Sequence, residues 1–139
     1  SLEKVLLSSN ILLINESESF QLTNENNIKS AAESLLKMGP EIVVIKKGSK
    51  GAELFSLKEH IEVGAYPVKN VVDPTGAGDV FAGAFTASIA GKESNEIALL
   101  QASASASISI ESFGVERLQN ATGQEINDRV NFLRSTLKS

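Results

Sequence analysis

Two apolar tetrads, Ile11-Leu12-Leu13-Ile14 and Ile42-Val43-Val44-Ile45, constrain the fold of this chain more than any other feature. Each is short, continuous and bounded by polar residues, as a strand buried on both faces of a parallel sheet would be. Between them Ile28, Ala31, Ala32, Leu35 and Leu36 recur at helical spacing over residues 27–38, and Gly39-Pro40 stops that helix. Strand, helix, strand is the repeating unit of an α/β fold, a mostly parallel sheet with helices on both faces. Residues 52–56 and 61–65 read as two further strands with a hairpin across 57–60. Helices are expected over 79–90, 94–112 and 124–136, and residues 5–7 end a short helix-like lead. In the helix over 94–112, Ile97, Leu100, Ala104 and Ile108 share one side. The alternating Ala/Ser run 102–107 within it reads as a close-packing surface. Ile126, Val130, Phe132 and Leu133 are the expected inward residues of the last helix.

Composition narrows the function classes. The 139 residues suffice for one domain with a real core, and 42% of them are hydrophobic. Thirteen basic and 17 acidic groups give a formal charge of −4, with no basic stripe in either half, which argues against nucleic acid or an anionic membrane as partner. There is no Cys, hence no disulfide and no thiolate metal site, and the single histidine, His60, excludes a His-rich zinc cluster. His60 itself reads as an exposed loop residue. No apolar run approaches the roughly 20 residues of a membrane helix. No signal-peptide pattern is visible, and the expected setting is cytoplasmic.

The chemistry concentrates in Val72-Asp73-Pro74-Thr75-Gly76-Ala77-Gly78-Asp79, which runs into the helical Val80-Phe81-Ala82-Gly83-Ala84-Phe85. Gly76 and Gly78 carry no Cβ, so their N–H groups can approach a ligand closely. A helix start adds unpaired N–H donors and a partial positive charge, and together these make an anion cradle. Asp79 sits at its rim, where a carboxylate would repel a resting anion unless it serves another purpose, such as taking a proton from an attacking hydroxyl. The structural alternative is a tight strand-to-helix turn with Asp as a cap. A calcium loop fails for want of alternating Asp/Asn and a closing Glu.

This stretch resembles the signature of the ribokinase (PfkB-type) carbohydrate kinases, Asp-Thr-x-Gly-Ala-Gly-Asp, with Pro74 as a departure in the second position. The variant, with Phe-Ala-Gly-Ala-Phe behind it, looks like that of bacterial adenosine-kinase-like sugar kinases. The resemblance implies a ribokinase-like three-layer α/β sandwich. It implies that Gly76, Ala77 and Gly78 hold the transferring phosphate and that Asp79 is the base. Family members are much longer and carry the signature late, so residues 1–139 resemble the C-terminal, nucleotide-binding part of such a kinase domain.

Other segments carry the resemblance further. Asn15-x-x-Glu18 matches the family's Asn-x-x-Glu motif, which implies Glu18 holding waters of Mg2+ and Asn15 near the phosphates. Magnesium suits this, since it keeps several waters; a capping or turn cluster is the alternative. Residues 46–51, Lys46-Lys47-Gly48-Ser49-Lys50-Gly51, resemble the Thr-x-Gly-x-x-Gly nucleotide segment. Gly48, Ser49 and Gly51 fit, whereas Lys46 stands where Thr is usual. Lys46, and less so Lys47, either offers charge to the phosphates or keeps a strand end solvated. Asp73 and the Thr75 carbonyl match a monovalent-cation (K+) site, or else serve turn hydrogen bonds. Ser103, eleven residues before Gly114, matches a position near the adenine where Asn or His is frequent.

The function that follows is transfer of the γ-phosphate of ATP to an alcohol of a sugar or nucleoside. The alternatives are a non-catalytic nucleotide-binding or regulatory module on the same fold, and a dinucleotide-binding oxidoreductase. The oxidoreductase would place its glycines after the first strand. Asn15, Glu18, Lys46, Gly48 and Asp79, each just past a strand-like run, are expected at the edge where α/β sheets bind ligands. An unpaired edge of a half-sheet would favour a homodimer.

Overall fold

The computed structural model describes residues 5–7 (backbone only), 11–68, 71, 76–111 and 121–139. It divides into two compact units, residues 1–62 with 138–139, and residues 63–137.

The first unit is built on a sheet of five strands in spatial order β1-β2-β3-β4-β5: Val5–Leu7, Ile11–Asn15, Ile42–Lys46, Ala52–Phe55 and His60–Val63. The two apolar tetrads form β2 and β3, and these pair in parallel, with Ile11 opposite Ile42 and Asn15 opposite Lys46. Helices α1 (Glu16–Thr23) and α2 (Ile28–Lys37) make the crossover. The pairs β1/β2 and β3/β4 are antiparallel, so the sheet is mixed. Chain length dictates this: five residues join β3 to β4, too few for a parallel crossover, which needs a dozen or more. Residues 5–7, expected as the end of a helical lead, are strand β1. Three apolar residues fit either element, and pairing with β2 decides for the strand.

Alternation along the strands sorts the core. Leu12 and Ile14 of β2, Val43 and Ile45 of β3 and Phe55 of β4 pack with Ala32 and Leu35 of α2 in one cluster, flanked by Leu22, Ile28 and Leu36. Each large side chain buried there contributes about 1.5–3 kcal/mol. Leu13, Val44 and Leu54, of opposite parity, are also fully buried, so both faces of the central strands are covered. That is why the tetrads are unbroken. The expected hairpin is present: Ser56 Oγ accepts from the N–H of Lys58 and Glu59, and the Ser56 N–H donates to the Glu59 carbonyl at 2.9 Å. Beyond β5, the N–H and carbonyl of Glu62 exchange hydrogen bonds with those of Lys138.

The second unit is helical: α3 (Ala77–Ala90), α4 (Asn95–Ser109) and α5 (Gly123–Arg134). Helix α3 packs along α4, and α4 along α5. Phe81 and Phe85, one turn apart, are buried with near-parallel rings, as core residues and not as base-stacking groups. The Ala/Ser run is helical and largely buried. Ser107 and Ser109 return their hydroxyls to the carbonyls of Ala104 and Ala106, which lets small polar residues line a packed face. Phe132, expected inward, is 43% exposed and lies edge-on to Tyr66. The inward place goes to Arg129, which stacks over the Tyr66 ring, donates to Ser107 Oγ at 3.0 Å and pairs with Glu111 at 2.5 Å. An arginine whose charge is met on every side can occupy a core position that periodicity alone would give to an apolar residue.

Candidate functional site

Helix α3 starts at the signature. Its N-cap, Gly76, has φ +84° and ψ −5°, a left-handed conformation that a β-carbon disfavours, and a β-carbon there would meet nothing within 4 Å. The demand for glycine is therefore conformational and not a matter of space. Gly76 has no side chain with which to cap the helix, and among the described residues no side-chain cap is made there. Among the described residues the other four α-helices are each capped, by Asn15, Asn27, Ser94 and Thr122. The first intrahelical bond of α3 runs from the Val80 N–H to the Gly76 carbonyl, so the N–H groups of Ala77, Gly78 and Asp79 belong to the turn that a helix leaves unpaired. Gly76, Gly78 and Asp79 are exposed. The result is an open, positively polarised helix end with a carboxylate on its first turn. Asp73 and Thr75, the expected monovalent-cation ligands, lie outside the described residues.

The first unit gathers the remaining predicted residues, except Ser103, at the C-terminal ends of β2 and β3. Asn15 ends β2 opposite Lys46 at the end of β3. Asn15 Oδ1 accepts from the Glu18 N–H at 2.9 Å, and Asn15 Nδ2 donates to Glu18 Oε1 at 2.6 Å. Asn15 thus caps the helix through its Oδ1, and its Nδ2, rather than the backbone N–H used in a capping box, holds the Glu18 carboxylate in place. The structural alternative for this motif is thus realised, and it orients the same carboxylate that the resemblance assigns to magnesium. Among the described residues no cluster of three or more His, Cys, Asp or Glu could cage a metal. A carboxylate held singly fits an ion kept mostly by water and phosphate.

After β3 the chain turns through a short 3-10 helix, Gly48–Lys50. Gly48 and Gly51 take φ +60° and +98°, which explains the glycines of the motif. Gly48, Ser49 and Lys50 are exposed, and Lys46 is half-buried. Lys47 is different. Its side chain is 7% exposed, with Nζ 2.9 Å from Glu53 Oε2 on β4 and 2.8 Å from Glu62 Oε2 on β5. His60, expected in a loop, opens β5; its Nε2 lies 2.7 Å from Glu53 Oε1 and its ring stacks on Phe55. The sequence carried no signal for this cluster, since its members lie up to 15 residues apart and only the β4/β5 hairpin joins them. Burial lowers the Lys47 pKa, but the hydrogen bonds to Glu53 and Glu62 outweigh it and the net shift is upward; the Lys47 hydrogen bond draws Glu62 down. Ser103, the proposed adenine neighbour, lies half-buried on α4 in the second unit.

The sequence-to-family match decides the identity of this arrangement. The pfkB family of carbohydrate kinases matches residues 1–121. The chain belongs to the pfkB carbohydrate kinase family. It is 37% identical over 114 residues to a ribokinase of Arabidopsis thaliana, covering 78% of this chain and 30% of that protein. It is 38% identical over 88 residues to a cytidine kinase of Thermococcus kodakarensis, covering 62% of this chain and 31% of the relative. The chain thus spans about a third of the length of these curated relatives.

Solved pfkB-type structures share the fold. An Escherichia coli protein described as a ribokinase II, with ATP and Mg2+ bound, superposes with a TM-score of 0.76 at 30% identity, over 88% of this chain and 39% of that one. The Arabidopsis ribokinase with ribose and ATP gives 0.74 at 31% identity, over 88% and 41%. The expected ribokinase-like α/β class holds. Among the described residues no helix is long and apolar enough to cross a membrane.

Proposed function

We propose that residues 1–139 form the C-terminal, nucleotide-binding part of a kinase that moves the γ-phosphate of ATP to an alcohol of a sugar or nucleoside. The observation that carries this is the start of α3, where a left-handed glycine replaces a capping side chain and an exposed Asp79 follows at once. A glycine N-cap forgoes the stabilisation that a capping side chain gives, and an anion docked at that helix end would offset the loss.

In this reading the N–H groups of Gly76, Ala77 and Gly78 face the charge on the moving phosphoryl group, and Asp79 takes the proton of the acceptor hydroxyl. The family resemblance assigns Lys46, Gly48, Ser49, Gly51 and Asn15 to the nucleotide, and Ser103 to its base. Glu18, held by Asn15, is the residue that would hold Mg2+ through water; the ion, when bound, neutralises phosphate charge. Positioning and electrostatics carry such transfers. The acceptor is a small sugar, as for the ribokinase relatives, or a nucleoside, as for the cytidine kinase. The rest of the acceptor site and the cover that excludes water belong to parts of the kinase that this chain does not span. The chain alone is therefore expected to bind nucleotide weakly and to phosphorylate no acceptor.

The test is Asp79→Asn in the full-length kinase. A positioned base supplies roughly 10²–10⁴-fold, so turnover should fall by that factor while ATP affinity stays. Intact turnover would remove Asp79 from the mechanism.

A further inference from the structure

The turn after β3 combines exposed residues with one sequestered cation. Three backbone bonds link Lys47, Gly48, Lys50 and Gly51. The Lys47 N–H donates to the Gly51 carbonyl at 2.7 Å, the Lys50 N–H to the Lys47 carbonyl at 3.2 Å, and the Gly51 N–H to the Gly48 carbonyl at 3.2 Å. Gly48 and Gly51 are held at positive φ, and no side chain caps the 3-10 turn. Such a loop has little intrinsic preference for one shape, because glycine populates many conformations. Its tie to the sheet is the Lys47 ammonium, which reaches two carboxylates on two different strands. One of these, Glu53, is held in turn by His60. An ammonium so nearly buried and doubly paired is committed to the protein and unavailable to a phosphate.

We propose that Lys47 is a positioning residue: by clamping the turn to β4 and β5 it shapes residues 48–51 for the nucleotide, while making no contact with the nucleotide itself. This inference rests on the nucleotide reading of the turn given above. It separates two lysines that are adjacent in sequence, since Lys46 stays on the strand end and Lys47 is consumed as a fastener. It also gives Glu53 and Glu62 a share in nucleotide affinity, although neither belongs to a pfkB motif found in this sequence.

The experiment is amide-resolved NMR of this chain with MgATP as probe, in the wild type and in Lys47→Met, Lys47→Arg and Glu62→Gln. The wild type should show MgATP-induced shifts at residues 48–51. In Lys47→Met the amide protons of Lys47, Lys50 and Gly51 should exchange about tenfold faster, a loosening of the order expected when one weak tie is lost. The MgATP dissociation constant should rise by a similar factor, while amides of β2 and β3 keep their protection. Lys47→Arg should restore both readouts. Should Lys47→Met fail to fold, Glu62→Gln, which keeps the Glu53 pair, should show the same two effects at smaller size.

Faster exchange with unchanged MgATP affinity would overturn the positioning role. Shifts at residues 76–79 without any at 48–51 would overturn it too, leaving the kinase reading standing. The absence of MgATP shifts anywhere in the wild type would remove the nucleotide reading of this chain, and this inference with it.

Discussion

Helix α1 opens with Asn15, whose amide accepts from the Glu18 N–H and donates back to the Glu18 carboxylate. Helix α3 opens with Gly76, which offers no capping side chain. Both helices carry a carboxylate at the third helical position, Glu18 and Asp79. In α1 that carboxylate is drawn into the cap. In α3 it stands exposed on the first helical turn. One end is closed by its own cap; the other, in the function proposed above, receives an anion. The same local grammar, small residue and then acid, thus yields a structural device in one place and a candidate chemical one in the other.

The contrast can be broken experimentally, beginning with the largest effect. Asp79→Asn should cost the kinase roughly 10²–10⁴-fold in turnover, whereas Glu18→Gln, which keeps an oxygen for Asn15, should weaken the Mg2+ dependence of nucleotide binding and leave the melting transition in place. Equal losses of turnover with no change in Mg2+ dependence would assign both carboxylates the same role and dissolve the distinction.

Smaller effects sharpen the comparison. Gly76→Ala should cost about 1–2 kcal/mol through the left-handed backbone, and because a β-carbon finds open space there, no larger loss is expected. Asn15→Ala should cost about 1 kcal/mol from the lost cap. If Asn15→Ala proved the costlier of the two by denaturation, the open end of α3 would be carrying less strain than its φ implies.

A pH series gives the smallest effect, with a definite sign. Glu62 is held below its ordinary value of 4.5, first by the Lys47 hydrogen bond. Its contribution is therefore complete above pH 4.5 and lost as pH falls through the lower folded value. Lys47 is shifted up from 10.5, so its part is complete below that and lost as pH rises through the raised value. The stability difference between wild type and Glu62→Gln should accordingly shrink on acidification below 4.5. A constant difference would mean the pair is solvated and adds little.

Much of the fold was legible in the residues. The two tetrads, the helix between them and the hairpin at 57–60 followed from periodicity and turn chemistry, because those signals are local. Helix α1 was not read. It has eight residues with little apolar periodicity, so its evidence lay in the capping pair and not in a hydrophobic stripe. Strand β1 read as helical because three apolar residues cannot distinguish period 2 from period 3.6. Phe132 was placed inward by spacing, and Arg129 took that position because Tyr66, Ser107 and Glu111 meet its charge from other elements. At the candidate site, the glycines and carboxylates stood out in the sequence. The service of Lys47 and His60 did not, since their partners come from other strands.

The order of residues by itself determined the strands, the helix stops, the glycine turns and the family signature, because each depends on dihedral preferences and neighbours within a few positions. Tertiary structure alone decided that the Lys47 charge is committed to Glu53 and Glu62. Lys46 and Lys47 are chemically alike and adjacent. Only the β4/β5 hairpin brings two carboxylates to one ammonium, and electrostatic pairing is a matter of distance in space, which sequence separation does not encode.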